Sequence, residues 1–138
     1  MSTPILAHAD PTLPYRLTTD ASKTAVGWIL EQKQGEHHKV ICYGGKSLTP
    51  AQKNYGISDL EALAVIIAVQ DLQCYLSYQN FTVVTDHQPL KYMLKNDHPP
   101  PGRWSRWIAK LMQYKFDVEY VPGKSNQAAD FLSRIDHG

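Results

Sequence analysis

Phe81-Thr82-Val83-Val84-Thr85-Asp86 is an uncharged, apolar, β-branched run that stops on a carboxylate. Uncharged runs of this kind read as strands buried on both faces, the condition of a central strand in a sheet covered by helices. Downstream, Pro89 to Leu94 suggests a short helix, with Pro89 tolerated in its first turn. His98-Pro99-Pro100-Pro101-Gly102 reads as a stiff loop. Trp104, Trp107, Ile108 and Leu111 form one apolar face of a helix expected over 103–115. Phe116 to Val121 alternates as a fifth strand, Pro122-Gly123 turns the chain, and 126–135 reads as a final short helix.

Upstream of the central strand lies the strongest helical pattern. Ser58 has the character of an N-cap and Glu61 follows three residues later, as in a capping box. Leu60, Leu63, Ala64, Ile67, Ala68, Asp71 and Tyr75 continue at helical spacing to an expected end near Leu76. Before it, Tyr15 to Asp20, Thr24 to Glu31 and His38 to Tyr43 read as three short strands, with Gln34-Gly35-Glu36 as a turn, so a meander is expected. Residues 5–14 are Pro-rich and read as a connecting arm. Three strands, a helix, a strand, helices, a strand and a helix imply an α/β fold, a mixed sheet with helices packed on it.

The chain has 138 residues, 43% of them apolar, which suits one domain with its own core. A net charge of +1 leaves no strongly basic field, so a nucleic-acid partner has to be held by a local patch. No apolar run reaches the roughly 18 residues a membrane span needs, and no membrane partner is expected. The two cysteines, Cys42 and Cys74, lack zinc-site spacing and read as buried free thiols, in keeping with a reducing compartment.

Four carboxylates sit at telling places: Asp20 and Asp86 at strand ends, Glu61 in the first turn of the long helix, and Asp130 in the last helix. They stand 41, 25 and 44 residues apart, so no local need groups them. If the first and fourth strands are parallel neighbours, Asp20 and Asp86 emerge side by side at the sheet edge where ligands of open α/β sheets bind. Converging carboxylates repel unless cations compensate them, and hard oxygen donors suit Mg²⁺ or Mn²⁺. Two such ions about 4 Å apart serve phosphodiester hydrolysis. Each acid also has a plainer reading. Glu61 completes the capping box, Asp86 caps the next helix, Asp20 ends a strand in a turn, and Asp130 pairs with Arg134.

The chain resembles the ribonuclease H domain of Gypsy-class LTR retrotransposon reverse transcriptases over nearly its whole length. The carriers are Leu6-Ala7-His8-Ala9-Asp10, Thr19-Asp20-Ala21-Ser22 with Gly27, the run from Lys46 to Tyr55, Asp59-Leu60-Glu61-Ala62-Leu63-Ala64, Thr85-Asp86-His87-Gln88-Pro89-Leu90, and the long motif from Tyr120 to Arg134. The resemblance implies an RNase H-like fold, with three antiparallel strands and then two parallel ones in a five-stranded mixed sheet. It divides the chain into a connector arm over 1–14 and the ribonuclease H domain over 15–138. It assigns catalysis and the ligation of two Mg²⁺ ions, replaceable by Mn²⁺, to Asp20, Glu61, Asp86 and Asp130. The implied partners are an RNA–DNA hybrid and the remainder of a Pol polyprotein that extends beyond this chain, inside a cytoplasmic virus-like particle.

Cellular ribonucleases H carry a loop histidine shortly before the last aspartate. Here 122–126 holds none. His87, beside Asp86, is an auxiliary candidate, against the plainer reading of a solvated histidine at a helix start. For the hybrid, Arg103, Arg106 and Lys110 form a basic helical stripe suited to phosphates, and Ser22, Lys23 and Ser58 stand where 2′-hydroxyl recognition is expected. Two other readings compete: a non-catalytic RNase H-like connection or domesticated binding module, and a strand-transfer enzyme on the same fold. The intact four acids weigh against the first, and the Thr85–Leu90 and Pro122–Asn126 motifs, with no zinc-binding segment, against the second.

Overall fold

The computed structural model describes residues 6–123. Five strands, β1 (Tyr15–Ala21), β2 (Ala25–Gln34), β3 (His37–Ser47), β4 (Phe81–Thr85) and β5 (Phe116–Tyr120), form one sheet in the order β3-β2-β1-β4-β5. The first three pair antiparallel, whereas β1–β4 and β4–β5 are parallel, as expected. β4 thus has a parallel partner on each side, and Phe81, Val83, Val84 and Thr85 are all buried. That double burial explains its uninterrupted apolar sequence.

The long helix α1 (Ile57–Asp71) packs on β1 and β2. Its apolar residues surround the axis, and Ala62, Ala64 and Ala68 are fully buried, letting neighbouring elements approach closely. Two details depart from expectation. Gly56 is the N-cap, with no side-chain cap, so Ser58 lies inside the helix and the capping box with Glu61 does not form. The run expected to reach Leu76 breaks at Leu72, whose ψ of 17° ends α1 before the short α2 (Gln73–Leu76). Beyond β4 come α3 (Leu90–Met93) and α4 (Arg103–Leu111), the latter four residues shorter than expected. Asp86 precedes α3 without capping it, because Pro89 holds that position. The expected helix over 126–135 lies outside the described residues.

β2 and β3 are joined by Gly35-Glu36, with Gly35 at φ +69°. Positive φ at the first central residue matches the demand of a type II′ hairpin. β3 continues past Tyr43 through Gly44 and Gly45 because Gly44 faces Trp28 across the ladder, where a Cβ would stand 2.7 Å from the indole. The arm before β1 is fastened to the sheet. Buried Gln32 accepts from the Asp10 amide at 2.8 Å and donates to the carbonyls of Asp10 and Leu13 at 2.7 and 3.0 Å. Opposite the Leu30/Glu31 register shift, the Ile41 carbonyl accepts from the Leu6 amide at 2.7 Å.

The two thiols part company. Cys42 is buried, and burial foremost, with Cys74 and Asp71 adding to it, pushes its thiol from 9.0 up to about 12. Cys74 is exposed, against expectation, because the break at Leu72 places it on α2, where only Leu76 is buried. No described helix is long and apolar enough to cross a membrane.

Candidate active site

The parallel register of β1 and β4 runs from Tyr15↔Phe81 to Thr18↔Val84. Continued two residues, it sets Asp20 level with Asp86 at the C-terminal ends of adjacent strands, which lie roughly 4.8 Å apart in a sheet. Beneath them Thr19 and Thr85 are fully buried, and both aspartates are half-exposed. The Ala21 amide donates to Asp20 Oδ1 at 3.0 Å, and the His87 amide donates to Thr85 Oγ1 at 3.1 Å.

Glu61 lies near the start of α1. It is only 8% exposed, in a helix that packs on β1. Residues three apart share a helix face, so Glu61 lies on the face of Ser58. Ser58 Oγ stands 2.8 Å from His87 Nε2, beside Asp86. That bond turns the face bearing Glu61 toward the end of β4. His87 is therefore a half-buried, hydrogen-bonded residue, not a solvated one.

Asp59 went unnoticed in the sequence. Its Oδ2 meets Arg103 Nη1 at 2.8 Å, and its Oδ1 accepts from Trp104 Nε1 at 2.6 Å. Arg103 also lies 3.7 Å over the Tyr55 ring. Of the expected basic stripe, Arg103 is thus engaged within the protein, while Arg106 and Lys110 are exposed. Trp107, Ile108 and Leu111 are buried and Trp104 is half-buried, so the tryptophans serve the core. Ser22 and Lys23 are exposed in the β1–β2 turn, where Ser22 Oγ accepts from the Thr24 and Ala25 amides at 3.2 and 3.1 Å.

Among the described residues, no three acidic, histidine or cysteine side chains stand grouped as a metal site. Asp130 lies outside them. Asp20, Glu61 and Asp86 are nonetheless all carboxylates on converging elements, the donor chemistry that hard divalent ions take.

A family described as the RNase H-like domain found in reverse transcriptase matches residues 10–114. The chain belongs to this family. Transposon polyproteins resemble it along nearly its full length. The Pol polyprotein of transposon opus from Drosophila melanogaster is 40% identical over 97% of the chain, and that of transposon 412 from the same fly is 35% identical over 95%. The Tf2-3 polyprotein of Schizosaccharomyces pombe is 38% identical over 98%. The chain spans only 13%, 10% and 10% of these polyproteins, respectively. Solved structures establish the RNase H-like fold. Native prototype foamy virus protease-reverse transcriptase matches 85% of the chain and 16% of its own length at TM-score 0.64 and 16% identity. LC11-RNase H1, isolated from compost by a metagenomic approach, matches 86% of the chain and 91% of its own length at TM-score 0.51 and 17% identity.

Proposed function

We propose that this RNase H-like domain is a ribonuclease H that cuts the RNA strand of RNA–DNA hybrids endonucleolytically during reverse transcription of a Gypsy-class element. It would act as part of a Pol polyprotein in an intracellular virus-like particle. The observation that carries the reading is the convergence of Asp20 and Asp86 on adjacent parallel strand ends, with the Glu61 face of α1 tied to the same edge by Ser58 and His87. One foamy viral protease-reverse transcriptase, TM-score 0.59, is described in complex with an RNA/DNA hybrid, which favours that partner class.

Asp20, Glu61 and Asp86, with Asp130, would hold two Mg²⁺ ions, for which Mn²⁺ can substitute. When bound, such ions activate water and stabilise the leaving oxygen. The chain's own contribution is placement. The β1–β4 ladder fixes the backbone up to Thr18 and Val84, two residues below Asp20 and Asp86, and the buried Thr19 and Thr85 keep water from under the site. Glu61, buried, keeps its carboxylate in low-dielectric surroundings, where charge interactions are stronger than in water. Arg106 and Lys110 would offer phosphate contacts, and Ser22, Lys23 and Ser58 would meet a 2′-hydroxyl. His87 has an auxiliary place here, with Nε2 directed at Ser58.

The test is cleavage of a labelled RNA–DNA hybrid in Mg²⁺ and separately in Mn²⁺, with duplex DNA as control. RNA cleavage is expected in either metal and is expected to vanish in Asp86→Asn. Hybrid binding without cleavage in both metals, unchanged by Asp86→Asn, would instead support a non-catalytic binding module.

A further inference from the structure

We propose that Asp59 is a positioning residue of the hydrolytic site, locking the helical turn that presents Glu61 onto the first turn of α4. The inference rests on the ribonuclease reading above. The first turn of α1 has no side-chain cap, so its own sequence does not fasten it. Two contacts from elsewhere in the chain do so. On one side Ser58 meets His87 at 2.8 Å. On another, both oxygens of Asp59 are taken by α4, one by Arg103 at 2.8 Å and one by Trp104 at 2.6 Å. Each helical residue rotates roughly 100° from the last, so Asp59 and Glu61 point about 200° apart. The grip of α4 on Asp59 therefore sets the direction of Glu61 without obstructing it.

Attraction alone does not account for this arrangement. The Asp59 and Arg103 side chains are 29% and 38% exposed, and solvent-screened pairs of that kind contribute little stability. What two donors on adjacent residues of one helix add is direction, since both oxygens are satisfied in a single orientation of the turn. Arg103 is further fixed by the Tyr55 ring, which precedes the helix, so the lock closes on both sides of the α1 start. The exposed cations Arg106 and Lys110 belong to the same α4, which joins the hybrid-facing helix and the Glu61 turn into one unit.

The experiment compares the parent chain with Asp59→Ala, Trp104→Phe, Arg103→Ala and the Asp59→Ala/Arg103→Ala double variant. It measures Mn²⁺ binding by electron paramagnetic resonance alongside kcat and KM for hybrid cleavage. Partners that orient metal ligands are worth roughly 10- to 100-fold in metal affinity or activity. Asp59→Ala is expected to fall in that range in Mn²⁺ affinity and kcat, with KM for the hybrid unchanged. The double variant is expected to be no worse than the worse single, because the two residues act through one contact. Trp104→Phe removes the N–H and the indole's larger ring while keeping an aromatic side chain in place and Asp59 intact, so it decides the matter should Asp59→Ala unfold. Parent-like Mn²⁺ affinity and kcat in Asp59→Ala or, if that variant unfolds, in Trp104→Phe would overturn the inference and leave the ribonuclease standing. A raised KM at constant kcat would overturn it in favour of a substrate grip. A parent chain that neither binds Mn²⁺ nor cleaves would overturn the ribonuclease and this inference together.

Discussion

Glu61→Gln is expected to abolish measurable hybrid cleavage while leaving the thermal midpoint no lower than that of the parent chain. The substitution keeps the shape of the side chain and removes one charge. Losing a ligand that helps stabilise transition-state charge costs about 4 kcal/mol, or roughly 10³-fold in rate. Stability moves the other way. Glu61 is only 8% exposed, and taking a carboxylate out of water is costly even when it finds partners. A neutral amide avoids most of that cost, as expected where function and stability compete. Hybrid cleavage assays and a melting curve followed by circular dichroism would check both halves. A drop of several degrees in the midpoint would show that Glu61 serves the fold, and the assignment of the buried acid to catalysis would fail.

Phe81→Ala is expected to cost about 3–5 kcal/mol of stability, the usual range for truncating a buried phenylalanine. Domains of this size hold roughly 5–15 kcal/mol in total, so the variant would stand near the limit of folding. Phe81 is 2% exposed and opens β4. Its ring stacks on Phe116 at 5.5 Å and meets Tyr114 edge-on at 6.2 Å. Lys95 lies over the Phe116 ring and donates to its carbonyl, so the cluster has little room to collapse into the gap. The urea midpoint should fall with little change in the slope of the transition. Five residues of strand, roughly 16 Å, separate Phe81 from Asp86, so the folded fraction should retain the parent kcat. A fall in kcat matching the fall in stability would mean that the two ends of β4 are coupled.

The strands most legible in sequence were those whose environment leaves one choice of residue. β4 needs apolar side chains on both faces, and Phe81 to Thr85 supply them without interruption. Asp20 and Asp86 stood out not singly, since a turn or a helix cap explains either alone, but jointly with Glu61 and Asp130 at the ends of ordered elements. Partnerships made across the fold were not legible. Ser58 and His87 are 29 residues apart, and Asp59 and Arg103 are 44 apart, so neither spacing announces the contact. Asp59 stood in the sequence only as part of the motif around Glu61, and nothing local to it pointed to Arg103 or Trp104. The third strand was expected to stop at Tyr43 and runs on to Ser47, because at Gly44 the Trp28 ring fills the space a side chain would need. The break at Leu72 falls among good helix formers, and tertiary packing overrides propensity there.

The fastening of the arm to β3 has a colloidal side. β3 is an edge strand of eleven residues, and a long open edge is a template on which a second copy of a chain can pair. The register shift at Leu30/Glu31 bends that edge, and the Leu6 amide occupies the Ile41 carbonyl at the bend. A chain lacking residues 1–9 should therefore keep its melting transition yet scatter more light at rising concentration, whereas unchanged scattering would show the bulge alone to be sufficient. The arm, on this view, acts less as a tether than as a guard against self-association along the β3 rim of the sheet.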